Sequence, residues 1–269
     1  MSKKRSSFLR SIPMASSRKL LMIGLLFLIN PNIIAANEAL KLSVINIGKP
    51  LGYKENGQAA GIYFDIMKEI ESLTGFTFKI QAHPFKRMSG LLKMGEIDCS
   101  IFFTSEQRKS TYLQVAKVVG RSVILVTQPD IQINTLSDIY GKDIGYVSGA
   151  HYGAKFDDNT NFTKHPVENY ENGLRMLKLK RIDGFVGGKE WIDMQYTYAA
   201  NQYITLQTKE AWLQCSKESK AIQQTPSIIN TLKKAVNKLH HSDPNLDKII
   251  EIHRNHLPNY APNTMSPQP

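Results

Sequence analysis

The residues whose types and spacing most clearly suggest a ligand contact lie in the stretch from Gly95 to Lys109. A glycine that can end a helix precedes an apolar, strand-like run, which is followed by Thr104, Ser105 and Arg108. In open α/β sheets, the ligand crevice lies beyond the carboxyl ends of the strands. A guanidinium placed there can hold a carboxylate through two parallel N–H···O bonds. The pattern indicates an anion contact, and on residue types alone it fits a surface arginine equally well.

The first 36 residues have the order of a targeting segment. They carry six basic residues and no acidic one, an apolar run from Leu20 to Ile29, and the small pair Ala35-Ala36. This order is typical of a secretory signal peptide. The run is too short to span a bilayer comfortably, which takes about 20 apolar residues. We therefore predict export, with residues 1–36 as the signal peptide.

The net charge of the remaining chain limits the kinds of molecule that it is expected to bind. The formal net charge of +11 falls by six, to +5, when residues 1–36 are left out. No dense block of lysine and arginine remains, so we predict no nucleic-acid partner. The rest of the chain is long enough for one large domain or two lobes.

The two cysteines, Cys99 and Cys215, are far apart in the sequence and match no metal-binding spacing. An oxidising compartment permits one disulfide between them, and two buried free thiols are an equal alternative. We predict no metal site and no cofactor.

Strand-like and helical patterns alternate from residue 40 onward. The first set predicts strands at 40–47, 76–82 and 97–103, with helices at 62–74 and 85–94. This alternation indicates a parallel sheet with crossover helices. A second set predicts strands at 122–127, 143–147, 182–186 and 203–206, with helices at 135–139 and 169–179. The chain then continues with a strand-like piece at 211–216, helices at 226–240 and 244–256, and a proline-rich tail, residues 259–269, that we expect to be disordered.

Five motifs in this order resemble the family 3 periplasmic solute-binding proteins, the receptors of polar amino-acid uptake systems. The likeness extends from about residue 40 to about residue 257, and the motifs that carry it are Gly61–Ile66, Leu91–Asp98, Ser105–Arg108, Leu136–Gly145 and Cys215–Ser219.

The resemblance implies an α/β fold of the two-lobed, type II periplasmic-binding-protein kind. Each lobe would be a mixed, mostly parallel sheet flanked by helices, and two crossover strands would form a hinge that closes on ligand. Lobe 1 would comprise residues 37–118 and 209–258, and lobe 2 residues 119–208. The resemblance also places Cys99 and Cys215 on neighbouring antiparallel strands of lobe 1.

The resemblance implies a ligand site as well. The carboxylate clamp would be Arg108 with Ser105 and Thr104. The other expected ligand-binding positions are Tyr53, Phe85, Ala150, His151, Gly188 and Glu190. Packing alone is an open alternative for Tyr53, Phe85 and His151.

Two of these positions depart from the family pattern. Gly188 stands where an acidic side chain for an amino group is expected, and Ala150 where a hydroxyl is expected. Glu190 could replace the missing acid, or it could be a solvated glutamate at a helix start. An ammonium without a counter-charge is costly to bury.

We expect a monomeric periplasmic receptor that captures a small carboxylate-bearing solute, an amino acid or a related compound. It would deliver this solute to a membrane ABC permease, without catalysis. Two alternatives stay open. One is an exported enzyme similar to cyclohexadienyl dehydratase, with Glu190 or His151 as general acid. The other is a receptor that signals to a membrane sensor.

Overall fold

The computed structural model describes residues 39–256. The predicted signal peptide, residues 1–36, and the predicted tail, residues 259–269, lie outside the described residues. Between residues 39 and 256, no helix has the length and apolar character needed to cross a membrane.

Strands and helices alternate along the described chain. The strands are β1 (Leu40–Ile45), β2 (Tyr53–Glu55), β3 (Gln58–Ala60), β4 (Phe78–His83), β5 (Cys99–Phe103), β6 (Tyr112–Thr127), β7 (Asp143–Val147), β8 (Thr163–Val167), β9 (Gly184–Gly188) and β10 (Tyr203–Ser216). The α-helices are α1 (Ile62–Thr74), α2 (Phe85–Lys93), α3 (Glu106–Thr111), α4 (Ala154–Asp157), α5 (Tyr170–Lys178), α6 (Lys189–Asp193), α7 (Lys220–Gln224), α8 (Ser227–Leu239) and α9 (Leu246–Asn255). Two 3₁₀ turns lie at Leu136–Ile139 and Ala200–Gln202.

Eight strands form one sheet in the order β4-β1-β5-β10-β6-β9-β7-β8, and β2 pairs with β3 in a separate hairpin. Strand β1 runs parallel to β4 and β5, and β7 runs parallel to β8 and β9. The two sets of strand-helix alternation therefore produce two parallel groups, as the sequence predicts. We call β4, β1 and β5 the first half-sheet, and β9, β7 and β8 the second half-sheet.

Two long antiparallel strands connect the half-sheets. Strand β10 pairs with β5 through residues 211–215, and β6 pairs with β9 through residues 123–127. The strands β6 and β10 pair with each other along their length. The predicted lobe boundaries fall inside these two strands, and they stay a prediction.

Helix α1 shows how the local sequence sets an element. Its residues Ile62, Ile66 and Ile70 are buried on one face, which packs into the core, because apolar residues spaced three to four apart share a helix face. The helix ends at Gly75, whose left-handed backbone (φ 70°) suits a glycine.

A disulfide joins Cys99 of β5 to Cys215 of β10. The two cysteines face each other across the antiparallel pair, with their Cα atoms 4.0 Å apart. Strand β5 runs on into the loop that precedes α3. The disulfide thus ties down the strand that leads to Arg108.

Candidate functional site

A small cavity of about 50 Å³ lies between elements of the two half-sheets. This is several times the space that one water molecule needs. Its lining is mostly apolar and aromatic: Ile45, Ile47, Tyr63, Phe85, Phe102, Phe103, Arg108, Val147, Ala150, His151, Tyr152, Tyr170 and Trp191. We call this space the central cavity. A mostly apolar concave space with a few polar groups is the usual form of a small-molecule site.

Arg108 reaches the cavity from the short helix α3. Ser105 caps this helix, because its Oγ accepts a hydrogen bond from the backbone N–H of Arg108 at 3.3 Å. The Arg108 side chain donates from Nη1 to the carbonyl of Phe103 at 2.6 Å. Its Cζ lies 5.0 Å from the ring centre of Phe85 and 5.2 Å from that of Phe102. Two aromatic rings and one carbonyl therefore orient the guanidinium.

Arg108 is a buried cation, with only 8% of its surface exposed. Among residues 39–256, no carboxylate forms a salt bridge with it. Burial lowers the pKa of Arg108 to about 10, although Tyr112 and Asp157 act in the opposite direction. Since removing a charge from water is costly, an anion in the cavity would be favoured beside this group.

Lys209 is a second buried cation near Arg108. It is 9% exposed, and its Nζ donates to the carbonyl of His151 at 2.9 Å. The same Nζ lies 5.9 Å from the ring centre of Phe103. Burial and the neighbouring charge of Arg108 lower the pKa of Lys209 to about 8, against the pull of Asp157. Lys209 was not predicted from the sequence, because a lone lysine inside a long strand carries no motif.

His151 lines the cavity with Asp157 behind it. Its Nδ1 lies 3.6 Å from Oδ2 of Asp157, while that carboxylate also accepts from the backbone N–H groups of Tyr152 and Gly153. Burial lowers the pKa of His151, and the charge of Arg108 lowers it further. The neutral imidazole is therefore favoured at neutral pH.

Four of the predicted site residues meet at the central cavity: Phe85, Arg108, Ala150 and His151. Three others have different partners. Thr104 donates to Gln114 at 2.9 Å, Ser105 caps α3, and Tyr53 lies against the ammonium of Lys49, 4.8 Å from its ring centre. None of these three belongs to the cavity lining.

Gly188 ends β9 and is buried. Its N–H donates to the hydroxyl of Tyr170 at 2.8 Å. A Cβ at this position would lie 2.7 Å from Cδ1 of Trp191. The indole thus fills the space that a side chain at Gly188 would need.

Glu190 forms ion pairs with two arginines. Its carboxylate contacts Nε of Arg121 and lies 2.8 Å from Nη2 of Arg254. Its side chain is 18% exposed, and Glu190 is not part of the cavity lining. Glu190 does lie at a helix start, but its carboxylate is ion-paired and largely shielded rather than freely solvated.

The cavity residues that were not predicted from the sequence include Tyr63, Tyr170 and Trp191. The two tyrosines open α1 and α5, each in the first turn of its helix. An aromatic residue in the first turn of a helix can be recognised in the sequence, so this position could have predicted both tyrosines as cavity residues. Trp191 follows the Gly187-Gly188 pair, and two adjacent glycines leave room for a bulky neighbour.

Two hydrogen bonds join the segment that follows β1 to segments of the second half of the fold. The N–H of Tyr170 donates to the carbonyl of Ile47 at 2.9 Å, and Nε2 of Gln195 donates to the carbonyl of Lys49 at 2.8 Å. The segment after β1 therefore contacts the start of α5 and the segment after α6.

Solved structures of similar fold include three amino-acid-binding proteins. A mutant of ArgBP from T. maritima is 18% identical, with a TM-score of 0.67, and the match covers 83% of this chain and 98% of that one. AbpA of Streptococcus pneumoniae, an amino acid ABC transporter substrate-binding protein bound to L-arginine, is 16% identical (TM-score 0.66, covering 83% and 97%). ArtJ of Geobacillus stearothermophilus, an arginine-, lysine-, histidine-binding protein, is 13% identical (TM-score 0.65, covering 82% and 97%).

These likenesses confirm the predicted fold class, a two-lobed α/β clamshell of the periplasmic-binding-protein kind. No curated protein matches the chain. The family model of the bacterial extracellular solute-binding proteins, family 3, matches residues 40–254. The chain belongs to that family.

Proposed function

We propose that this protein binds a small carboxylate-bearing solute in the central cavity, with Arg108 as the carboxylate contact. The observation that carries the proposal is the burial of Arg108 at the cavity without an acidic partner among the described residues. A guanidinium and a carboxylate form strong, charge-assisted hydrogen bonds. Lys209 adds a second positive charge close by.

The relatives support the proposed class of compound. AbpA is a substrate-binding protein bound to L-arginine, and the family consists of extracellular solute-binding proteins. The proposed ligand is accordingly an amino acid or a related small acid. The lobes would be residues 37–118 with 209–258 and residues 119–208, joined by β6 and β10.

The physiological role would be delivery of the solute to a membrane ABC permease by a periplasmic monomer. The contacts between the segment after β1 and the second half of the fold support this role, because a receptor that closes around its ligand presents a different surface from the open form. Export through residues 1–36 would place the protein where such a permease takes up its substrates.

Substitution of Arg108 tests the carboxylate contact. The ligand is the carboxylic acid that binds the parent protein most tightly. In a calorimetric titration, we expect Arg108→Ala to weaken its binding at least tenfold, about 1.4 kcal/mol. Arg108→Lys keeps the charge without the planar guanidinium, and its affinity should lie between those of the parent protein and Arg108→Ala. Arg87→Ala, an exposed arginine outside the cavity lining, is the matched control. Unchanged affinity in a folded Arg108→Ala protein would refute the contact.

Delivery is tested with spheroplasts washed free of periplasmic proteins. Purified protein should restore energy-dependent uptake of the radiolabelled acid, while Arg108→Ala should not. If the protein binds the acid but never restores uptake, the sensing role gains support instead.

One observation favours an enzyme as the second candidate. His151 lines the cavity and has a carboxylate partner, Asp157, 3.6 Å away. A histidine oriented by a carboxylate can act as a general acid or base. Product formation from prephenate or arogenate, lost in His151→Ala, would establish this activity. Stable binding without product would leave the receptor role.

A further inference from the structure

The charged groups that line the central cavity are basic, and none is acidic. Arg108 and His151 are its ionisable groups other than tyrosines, and none of its lining residues is acidic. The remaining lining side chains are aliphatic or aromatic. A ligand that carries a positive charge would find no counter-charge on these walls.

The acidic side chain next to Trp191 in the sequence, Glu190, is already paired with two arginines. Glu190 pairs with Arg121 and with Arg254, so the three side chains together carry a net positive charge. An ammonium placed near them would meet two guanidinium groups for one carboxylate. This cluster is therefore unsuited to receive the amino group of an amino acid.

Trp191 removes the space as well as the charge. Its indole stands 2.7 Å (Cδ1) and 3.1 Å (Nε1) from the position of a Cβ on Gly188. Gly188 is the position at which the sequence pattern leads one to expect an acidic side chain. The indole is 2% exposed and lines the cavity, so an apolar surface faces the ligand there.

Uncharged hydroxyl groups are present in the same cavity. The Tyr170 hydroxyl accepts from the N–H of Gly188, which leaves its own hydrogen available for donation. The Tyr63 side chain is 5% exposed. Within residues 39–256, its hydroxyl has no hydrogen-bond partner. Burial raises the pKa of both tyrosines, so both stay neutral donors at physiological pH.

We infer that the ligand is a small carboxylic acid whose remainder is uncharged, rather than a zwitterionic amino acid. Its carboxylate pairs with Arg108, and its apolar body packs against the aromatic walls. A neutral oxygen on the ligand, such as a hydroxyl or keto oxygen, accepts from Tyr63 or Tyr170. This inference rests on the proposed function, because it requires the carboxylate contact of Arg108.

Matched ligand sets test the inference by calorimetry and thermal shift. Each set contains an L-amino acid, the corresponding acid without the amino group, and the corresponding 2-hydroxy and 2-oxo acids. It also contains the neutral amide of the acid that lacks the amino group. The sets are built on alanine, valine and phenylalanine. We expect at least one acid that lacks the amino group to bind tenfold or more tightly than its amino acid, and we expect the amide not to bind.

The outcomes separate the two proposals. If an amino acid binds as tightly as its partner acids or more tightly, and Arg108→Ala abolishes this binding, the proposed function stands and the inference is overturned. If the amide binds as well as the acid, or if no member of any set binds, the carboxylate contact itself is overturned. Preference for an acid without the amino group, lost in Arg108→Ala, supports both.

Discussion

Arg108 has surroundings that suit the binding of an anion. The rings of Phe85 and Phe102 and the carbonyl of Phe103 hold its guanidinium in one orientation. These neutral partners do not balance the charge, and Lys209 adds to it. A bound carboxylate would relieve this repulsion, so the protonation of Lys209 and the binding of an anion should be coupled.

The coupling predicts a pH dependence of affinity. The pKa of Lys209 is lowered to about 8, and an anion favours the charged ammonium. Affinity for the carboxylate should thus be higher below pH 8 and should fall about threefold or more between pH 7 and pH 9. The pKa values of His151, below its usual range, and of Arg108, about 10, lie outside this window.

Calorimetric titrations at pH 7, 8 and 9 measure this fall. Lys209→Met should bind more weakly at pH 7 and should lose the dependence across the window. Lys234→Met, an exposed lysine on α8, should behave like the parent protein. A slope that is equally steep in Lys209→Met would assign it to another group.

At the scale of elements, the sequence predicts best where the local pattern is complete. Helix α1 was predicted over 62–74, the range that the structure has, because its apolar stripe ends at a glycine. Strand β6 was predicted only from residue 122, but it begins at Tyr112. Its first half gains its conformation from antiparallel pairing with β10, and such distant pairing leaves no local pattern.

Strand β8 was not predicted, and its composition explains why. Pro166 lies within it, and proline argues against a central strand. In the sheet order β8 is an edge strand, where a missing N–H is tolerated. The segment predicted as a helix over 135–139 is a 3₁₀ turn over Leu136–Ile139.

The order of the motifs along the chain was enough to predict part of the candidate site. Arg108, Phe85, Ala150 and His151 do line one cavity. Thr104 has a partner of its own, Gln114, because residues that follow one another at a strand end point in different directions. The environments of Gly188 and Glu190 depend on Trp191 and on two distant arginines, which no local motif reveals.

The disulfide gives a prediction at the same scale. Cys99 and Cys215 are 116 residues apart in the sequence, so their bond restricts a long loop in the unfolded chain. Reduction should lower the free energy of unfolding by about 2–4 kcal/mol. Urea unfolding with and without reductant measures the loss. The double variant Cys99→Ala, Cys215→Ala should unfold identically in both conditions, and a parent protein insensitive to reductant would contradict the prediction.

At the scale of the whole molecule, Glu190 joins three elements that are distant in the sequence: α6, β6 and α9. It lies in the first turn of α6, which directly follows β9 of the second half-sheet. Its partner Arg254 lies on α9, where the adjacent His253 pairs with Asp65 of α1. Arg121, its other partner, lies on the connecting strand β6. If the predicted hinge closes on ligand, these ion pairs would stabilise the closed form.

Glu190→Gln should favour the open form of the ligand-free protein. The substitution leaves two half-buried arginines without their shared carboxylate. The cost should lie between that for exposed pairs, up to about 1 kcal/mol, and that for breaking a buried pair, about 2 kcal/mol or more. The radius of gyration measured by small-angle X-ray scattering should rise, and saturating ligand should restore the compact value. Affinity should fall, since part of the binding free energy now closes the molecule. Glu251→Gln, an exposed glutamate on α9, controls for the loss of charge. If Glu190→Gln has the radius and affinity of this control, Glu190 does not hold the closed form together.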